Sequence, residues 1–543
     1  MYANIYNAMK QKLEVAASIP IIDIFAGPGG LGEGFSALKT KGGHDAFRIA
    51  LSVEKDEIAC RTLRLRAIKR YLAMVGQLDP YFSLLQGRIS RTEFDSIPIV
   101  LQAAKEASVE VMNAELGKNA PSEFDQRIRS ALKGANEWIL IGGPPCQAYS
   151  LAGRARRTND VDFESDEKHF LYRQYLRIIK EHAPPVFVME NVKGLLSSHH
   201  GGVPMFDRLL EDLSNPRKGL KYEIRSLVKP DDQSPLSPED YVIESEKYGV
   251  PQTRHRVILL GIRSDISDRK SRRLKKSESQ ETVEDAIADL PRIRSGLSRG
   301  ADSKRAWLST VKSASSLVKG WGRETEARVI AAMKAAARNA ESLDSQGLPF
   351  IPTESSQIRK STRLAVWLAS PRLNGVIQHQ SRQHMESDIA RYLFSSVFAQ
   401  EFGYSARLQQ FPEALLPNHL NVQNSEMGTK IPFPDRFSVQ CAKGPSSTIV
   451  SHIAKDGHYY IHYDPSQCRS LTVREAARLQ TFPDDYFFEG NRTQQYHQVG
   501  NAVPPLLAHQ IAYVVAELLA TPLIASRGNF PRSVRNEDRF HAV

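Results

Sequence analysis

Short apolar runs of four to seven residues alternate with stretches of helical period through the first half of the chain. Ile19–Phe25 (IPIIDIF) runs into a glycine cluster, and a helical pattern begins at about Leu31. An unbroken apolar run ending in glycines reads as a strand buried on both faces, a tight turn and a helix, the opening of a doubly wound α/β domain. Arg48–Val53 (RIALSV), Trp138–Ile141 (WILI), Val186–Met189 (VFVM) and Val257–Gly261 (VILLG) are predicted as further parallel strands. Helical segments such as Tyr172–His182 lie between them, so βαβ units are expected to repeat to about residue 263. Between Ile89 and Glu137 the stretch PIVLQAAKEASVEVMNAEL predicts an inserted helical pair, about residues 90–136, with no visible chemistry.

The pattern changes near residue 265. DRKSRRLKKSES is basic and polar and reads as a solvated linker, although a phosphate backbone could also follow it. Mixed periodicity rich in Ser, Gln, Arg and Pro continues to about residue 465 and suggests a smaller domain. After Arg469 the pattern sharpens again. LTVREAARLQTF is an amphipathic helix opened by Thr472 as cap, and VPPLLAHQIAYVVAELLA is another helix.

Composition adds bounds. The 543 residues exceed one compact core, and 72 Lys and Arg against 61 Asp and Glu leave a formal charge of +11. That excess permits a polyanionic partner without proving one. Cys60, Cys146, Cys441 and Cys468 form no CxxC, which excludes a disulfide scaffold or zinc finger as the reading. The first twenty residues lack the pattern of a signal peptide, and no uncharged apolar run approaches the roughly 20 residues of a membrane span. A cytoplasmic enzyme is expected.

Gly27, Gly29 and Gly32 satisfy GxGxxG directly after the first strand, and Glu54 ends the next. Such glycines let a ligand approach the backbone, and an acidic side chain there can hold ribose hydroxyls. A nicotinamide enzyme, a methyltransferase and a ligand-free turn all fit, so this turn leaves the cofactor open. Gly142-Gly143-Pro144-Pro145-Cys146 follows the WILI strand, placing the cysteine past a strand's C-terminal end, where open α/β sheets bind ligands. A thiol needs nearby positive charge or a base to react at neutral pH. Glu190 ends the VFVM strand, and Arg254 and Arg256 precede the VILLG strand as alternate residues projecting to one side. These groups are expected to converge on one pocket.

Taken in order, DIFAGPGGLGEGF, GGPPCQAYS, MENV, QTRHRV, RSLTVREAARLQTFPDDY and QVGNAVP resemble the motif series of the DNA (cytosine-5)-methyltransferases, over most of residues 19–263 and 466–520. The resemblance implies an S-adenosylmethionine-dependent, Rossmann-like doubly wound sheet plus a smaller mixed target-recognition domain. It divides the chain into catalytic residues 1–264, a target-recognition region at 265–465, a returning catalytic part at 466–522 and a tail at 523–543. It implies Cys146 as covalent nucleophile on carbon 6 of a flipped cytosine, Glu190 at N3 and the exocyclic amine, and Arg256 with Arg254 on the ring carbonyl and Glu190. S-adenosyl-L-methionine would lie on Phe25, Gly27, Gly29, Gly30, Glu54, Pro144, Leu171, Asn501 and Val503, which requires the C-terminal helix to fold back beside the first strand. No metal is needed. Double-stranded DNA would be the partner, the protein acting as a monomer within a restriction-modification or antiviral system.

Two departures stand out. Where the family carries an acidic residue for the adenine amino group, the matching stretch Leu84–Ile89 has Arg88, and Lys55 follows Glu54 in place of an apolar neighbour. Arg372–His384 (RLNGVIQHQSRQH) is richest in side chains able to read bases, and fits a solvated loop as well. A tRNA methyltransferase of the same family, a catalytically idle DNA-binding homologue and a nicotinamide-dependent oxidoreductase are the competing readings. The last leaves PPCQ and MENV unexplained.

Overall fold

A computed structural model describes residues 18–118, 120–145, 171–200, 203–230, 235–270, 272–320, 322–353, 362–417 and 434–521. The main sheet contains β1 (Ile19–Ile24), β2 (Phe47–Glu54), β3 (Val111–Asn113), β4 (Ile139–Gly142), β5 (Val186–Val192), β6 (Tyr222–Arg225), β7 (Val242–Glu244) and β8 (His255–Arg263). Its order is β3-β2-β1-β4-β5-β8-β6, with β7 paired to the start of β8. Strands β3, β2, β1, β4 and β5 run parallel, so β1 and β4 meet at the point where the strand order reverses. Ligands of open α/β sheets bind outside the carboxyl ends at such a point.

All six residues of β1 are buried, as expected of a strand covered on both faces. Ile22 and Ile24 pack into one layer with Leu140, Phe187 and Met189, while Ile19 and Ile21 face the opposite layer with Ile139, Val188 and Ile258. The helices that position the site are α1 (Gly30–Ser36), α2 (Glu57–Met74), α3 (Pro98–Glu110), α4 (Pro121–Leu132), α5 (Leu171–His182), α6 (Arg323–Ala340), α7 (Glu386–Phe402), α8 (Val473–Leu479), α9 (Arg492–Gly500) and α10 (Pro505–Leu518).

Two expectations change. The VILLG segment is not a parallel strand, because β8 pairs antiparallel with β5. An antiparallel strand begins at the edge where its parallel neighbours end. Residues preceding β8 therefore reach the carboxyl edge, whereas a parallel strand would have carried them to the far side. Nor is the segment at 90–136 simply a helical pair. Besides Arg91–Ser96, α3 and α4, it contributes β3, whose Ser52↔Val111 to Glu54↔Asn113 register extends the sheet beyond β2. Three residues are too few to show an alternating pattern, so this edge strand is invisible to periodicity.

The C-terminal part packs into the sheet layer that holds α1. A Cβ added at Gly34 would stand 2.4 Å from the Pro505 carbonyl oxygen and 2.5 Å from the Ala508 Cβ and the His509 nitrogen. Only glycine lets α1 and α10 lie this close. In the variable region, α6 and α7 share a core with Trp307, Phe411 and Phe437. Leu373 and Ile377 instead enter the core of α2 and α3, and Leu364 packs with α8.

Candidate active site

The turn after β1 is shaped by left-handed backbone at Phe25 (φ 55°), Gly27 (φ 56°) and Gly29 (φ 88°). Such torsions are cheap for glycine and costly for Phe25, which pins the turn sharply at the strand end. Glu54 closes it: one carboxylate oxygen accepts the Gly27 N–H at 2.8 Å, and the other accepts those of Lys55 and Asp56 at 2.9 Å. A Cβ at Gly30 would stand 2.2 Å from the Val503 carbonyl oxygen, so that glycine permits residue 503 to close over the turn. At Gly27, by contrast, a Cβ would meet no atom of the described residues within 4 Å. The open space above Gly27, bounded by a held carboxylate, is a cradle that fits the ribose and methionine parts of a nucleoside sulfonium. At the end of β1, both Asp23 carboxylate oxygens are buried without a hydrogen-bond partner among the described residues, and burial, reinforced by Glu54, holds this carboxyl well above the usual range.

The loop after β4 needs its glycines for a different reason. A Cβ at Gly142 would lie 2.3 Å from the Ile24 carbonyl oxygen, and one at Gly143 would lie 2.6 Å from Glu190 Oε2. The Gly-Gly pair thus lets the loop approach both β1 and the Glu190 carboxylate. Asn191 Nδ2 lies 3.5 Å from the Pro144 carbonyl oxygen that accepts it, tying the MENV strand end to this loop. Cys146 lies outside the described residues. Cys60 and Cys468 are buried and Cys441 is half-buried, and desolvation pushes Cys60 up to about 11 and the other two up as well.

Arg256 Nε stands 2.9 Å from Glu190 Oε1, each side chain 14% exposed. Among the described residues this Nε has no aligned acceptor, so the contact with Glu190 is an ion pair held by proximity, while Arg256 Nη1 donates to the His255 carbonyl at 2.8 Å. Arg254 is placed differently. Its Nη1 donates to the Ile449 carbonyl at 2.9 Å and its Nη2 to that of Gly500 at 3.3 Å. Burial, with the neighbouring Arg256 charge, lowers its pKa well below the ordinary value. Arg254 therefore ties β8 to residue 449 and to the end of α9.

Sequence reasoning did not assign Gln252 and Gln480, which complete this join. Gln252 donates to the Leu479 carbonyl and to Gln480 Oε1, both at 3.1 Å, and its own Oε1 accepts the Ile449 N–H at 2.8 Å. Gln480 donates to the Val499 carbonyl at 2.8 Å. Their signal was present in the glutamines of QTRHR and RLQTF. Asn501 follows α9 with its amide beside the His497 ring, Val503 is buried, and Leu171 opens α5 half-buried. Arg88 sits exposed in the loop after helix Asp79–Leu85. The strand beside β2 ends instead at Asn113, whose Nδ2 donates to the Glu54 and Lys55 carbonyls at 3.2 and 3.0 Å.

A reversed strand order with a glycine turn and a held carboxylate at the reversal, beside a loop facing an acidic and a basic side chain, belongs to a Rossmann-like sheet of the S-adenosylmethionine-dependent methyltransferase class. The fold is matched by a crystal structure titled a 'putative DNA modification methyltransferase encoded within prophage' of E. coli, with a TM-score of 0.51 at 18% identity over 93% of this chain and 100% of that one. Residues 113–517 match the family C-5 cytosine-specific DNA methylase, and the chain belongs to that family. It is 33% identical to the type II methyltransferase M.Bpa9945I of Bacillus paralicheniformis over 92% of this chain and 99% of that protein. It is 28% identical to the DNA (cytosine-5-)-methyltransferase M.ApeKI of Aeropyrum pernix over 72% and 83% respectively. The protein is a DNA (cytosine-5-)-methyltransferase with S-adenosylmethionine as methyl donor.

Proposed function

We propose that the protein flips a cytosine out of double-stranded DNA and methylates it at carbon 5 through a covalent adduct on Cys146, within a type II restriction-modification or antiviral setting. The observation that supports this reading is the Glu190–Arg256 pair at the carboxyl edge, in van der Waals reach of Gly143 in the loop leading to Cys146.

A stacked cytosine is unreachable, so unstacking, at roughly a few kcal/mol, precedes chemistry. The Cys146 thiolate adds to carbon 6 of the ring. Glu190 holds N3 and the exocyclic amine, supplying a proton at N3 so that negative charge does not build on the ring. Arg256 holds the ring carbonyl and keeps the Glu190 carboxyl oriented. Addition at carbon 6 makes carbon 5 electron-rich. S-adenosylmethionine, when bound, supplies a methyl group activated by its sulfonium. Loss of the carbon-5 proton to water then re-forms the double bond and expels the Cys146 sulfur as thiolate, and the N3 proton returns to Glu190. Arg254, engaged with two carbonyls, acts by positioning β8 and not by contact with the base. Gly27, Gly29, Gly30, Phe25 and Glu54 take the methionine and ribose, with Pro144, Leu171, Asn501 and Val503 around the remainder. Asn113 and the residues after it stand where the adenine edge falls, a role Arg88 does not fill.

Residues 265–465 select the target sequence. The protein acts as a monomer in the cytoplasm; among the described residues no helix is long and apolar enough to cross a membrane. Bisulfite sequencing of DNA from cells expressing the protein is expected to reveal 5-methylcytosine in one sequence context. Methylated tRNA with unmodified DNA would overturn the reading. A duplex carrying 5-fluorocytosine should trap a covalent complex, because fluorine cannot leave as a proton. Cys146→Ser should abolish that complex, and its persistence would remove Cys146 as nucleophile.

A further inference from the structure

The TFPDDY segment touches the glycine turn after β1 at Pro28 and Gly29. Tyr486, wholly buried, donates its hydroxyl hydrogen to the Pro28 carbonyl in the middle of the turn. A Cβ at Gly29 would lie 3.2 Å from that hydroxyl oxygen, so the fit is close. The ring lies 4.7 Å from the Arg66 guanidinium carbon. Arg66 in turn forks between α1 and the same segment, with Nε 2.8 Å from Glu33 Oε2 and Nη1 2.9 Å from Asp485 Oδ1.

The segment is itself held rigidly. Arg474 of α8 donates to the Tyr486 carbonyl at 2.7 Å. Gln378 of the variable region grips Phe488 twice, donating to its carbonyl at 2.7 Å and accepting its N–H at 3.1 Å. Gln378 does so from left-handed backbone (φ 55°), a conformation a non-glycine residue keeps only where its surroundings over-determine it. Tyr486 is thus a fixed post against which the Pro28 carbonyl in the middle of the turn is held.

We propose that Tyr486 is a positioning residue for S-adenosylmethionine binding, acting through the Pro28 carbonyl. This rests on the assignment of Gly27–Gly30 to that ligand. A buried carbonyl without a donor is costly, so deleting the hydroxyl releases Pro28 and lets the left-handed turn relax out of the shape the ligand requires. The hydroxyl touches neither ligand nor DNA in this role. Its loss shows in cofactor affinity and spares DNA affinity.

The test is isothermal titration calorimetry of the full chain with S-adenosylmethionine, alongside DNA binding without cofactor and thermal melting. Tyr486→Phe should weaken S-adenosylmethionine about five- to ten-fold, the loss expected for one buried hydrogen bond. DNA affinity and kcat at saturating cofactor should stay within about two-fold. Arg66→Lys, which breaks the fork to Glu33 and Asp485 but leaves the Tyr486 hydroxyl in place, should lower the Tm without weakening the cofactor. Unchanged cofactor affinity in a folded Tyr486→Phe protein would overturn the role of Tyr486 alone. Equal losses of cofactor and DNA affinity, loss of cooperative melting in Tyr486→Phe, or the same weakening in Arg66→Lys would also overturn it in favour of general packing. No binding by the unsubstituted protein would overturn the cofactor assignment and this inference together.

Discussion

Gly143 shows how one missing methyl group sets a reaction geometry. Its Cβ position is occupied by the Glu190 carboxylate, so Gly143→Ala must push the carboxylate or the loop aside. The expected outcome is a kcat loss of about a hundred-fold, the scale of a displaced acid or base, with little change in Tm. Arg256→Ala should cost about as much in kcat, because it leaves Glu190 without its counter-charge. Steady-state kinetics and melting curves on both variants check this. Asp23 makes a different prediction. Its folded pKa lies well above that of the unfolded chain, so the folded state holds an extra proton at pH above about 4. The stability this group confers is complete below that pH and falls as pH rises. Asp23→Asn should therefore raise the Tm relative to the parent at pH 8, the gap closing as pH approaches 4. Of the site residues, Cys146, Glu190, Arg256 and the glycines are legible as residue types at strand ends. The engagement of Arg254 with two carbonyls is not, since its acceptors lie 195 and 246 positions away.

At the scale of elements, the direction of one strand governs the site. The apolar run of β8 is plain in the sequence, but its direction is not, because both parallel and antiparallel central strands read as continuous apolar runs. Pairing β8 antiparallel to β5 brings Arg256 opposite Val192, beside the end of the strand that carries Glu190. Helix α1 and its glycines give the matching stability prediction. Gly34→Ala would drive a methyl group into Pro505, Ala508 and His509, and should cost about 1–3 kcal/mol by overpacking, visible as a lowered Tm. Gly27→Ala meets no neighbour among the described residues, but its left-handed φ costs about 1 kcal/mol and its methyl group enters the proposed cofactor cradle. It should lose S-adenosylmethionine affinity with only a small drop in Tm, which calorimetry and melting together resolve.

Across the whole molecule, buried charge joins parts distant in sequence. Asp485 is desolvated, which raises its pKa, yet Lys69 and Arg66 outweigh that and hold it below the usual carboxylate range. Glu33 is likewise held down by Arg66 against its own desolvation. A depressed folded pKa confers stability that is fully present above the unfolded value near 4 and is lost progressively as pH falls below it toward the lower folded pKa. Asp485→Asn should accordingly lower the Tm at pH 7, and the difference from the parent should shrink as pH drops toward 3. Melting curves across that range test the sign.

Local pattern was enough for the parallel core strands, the glycine turn, the helix capped by Thr472 and the order of the motifs, since each rests on neighbours within one element. Edge strand β3, the direction of β8, the packing of α10 on α1 and the meeting of Tyr486 with Pro28 were decided only in three dimensions. They depend on contacts between segments up to 458 residues apart, and no local propensity encodes which distant backbone a glycine, an arginine or a tyrosine will meet.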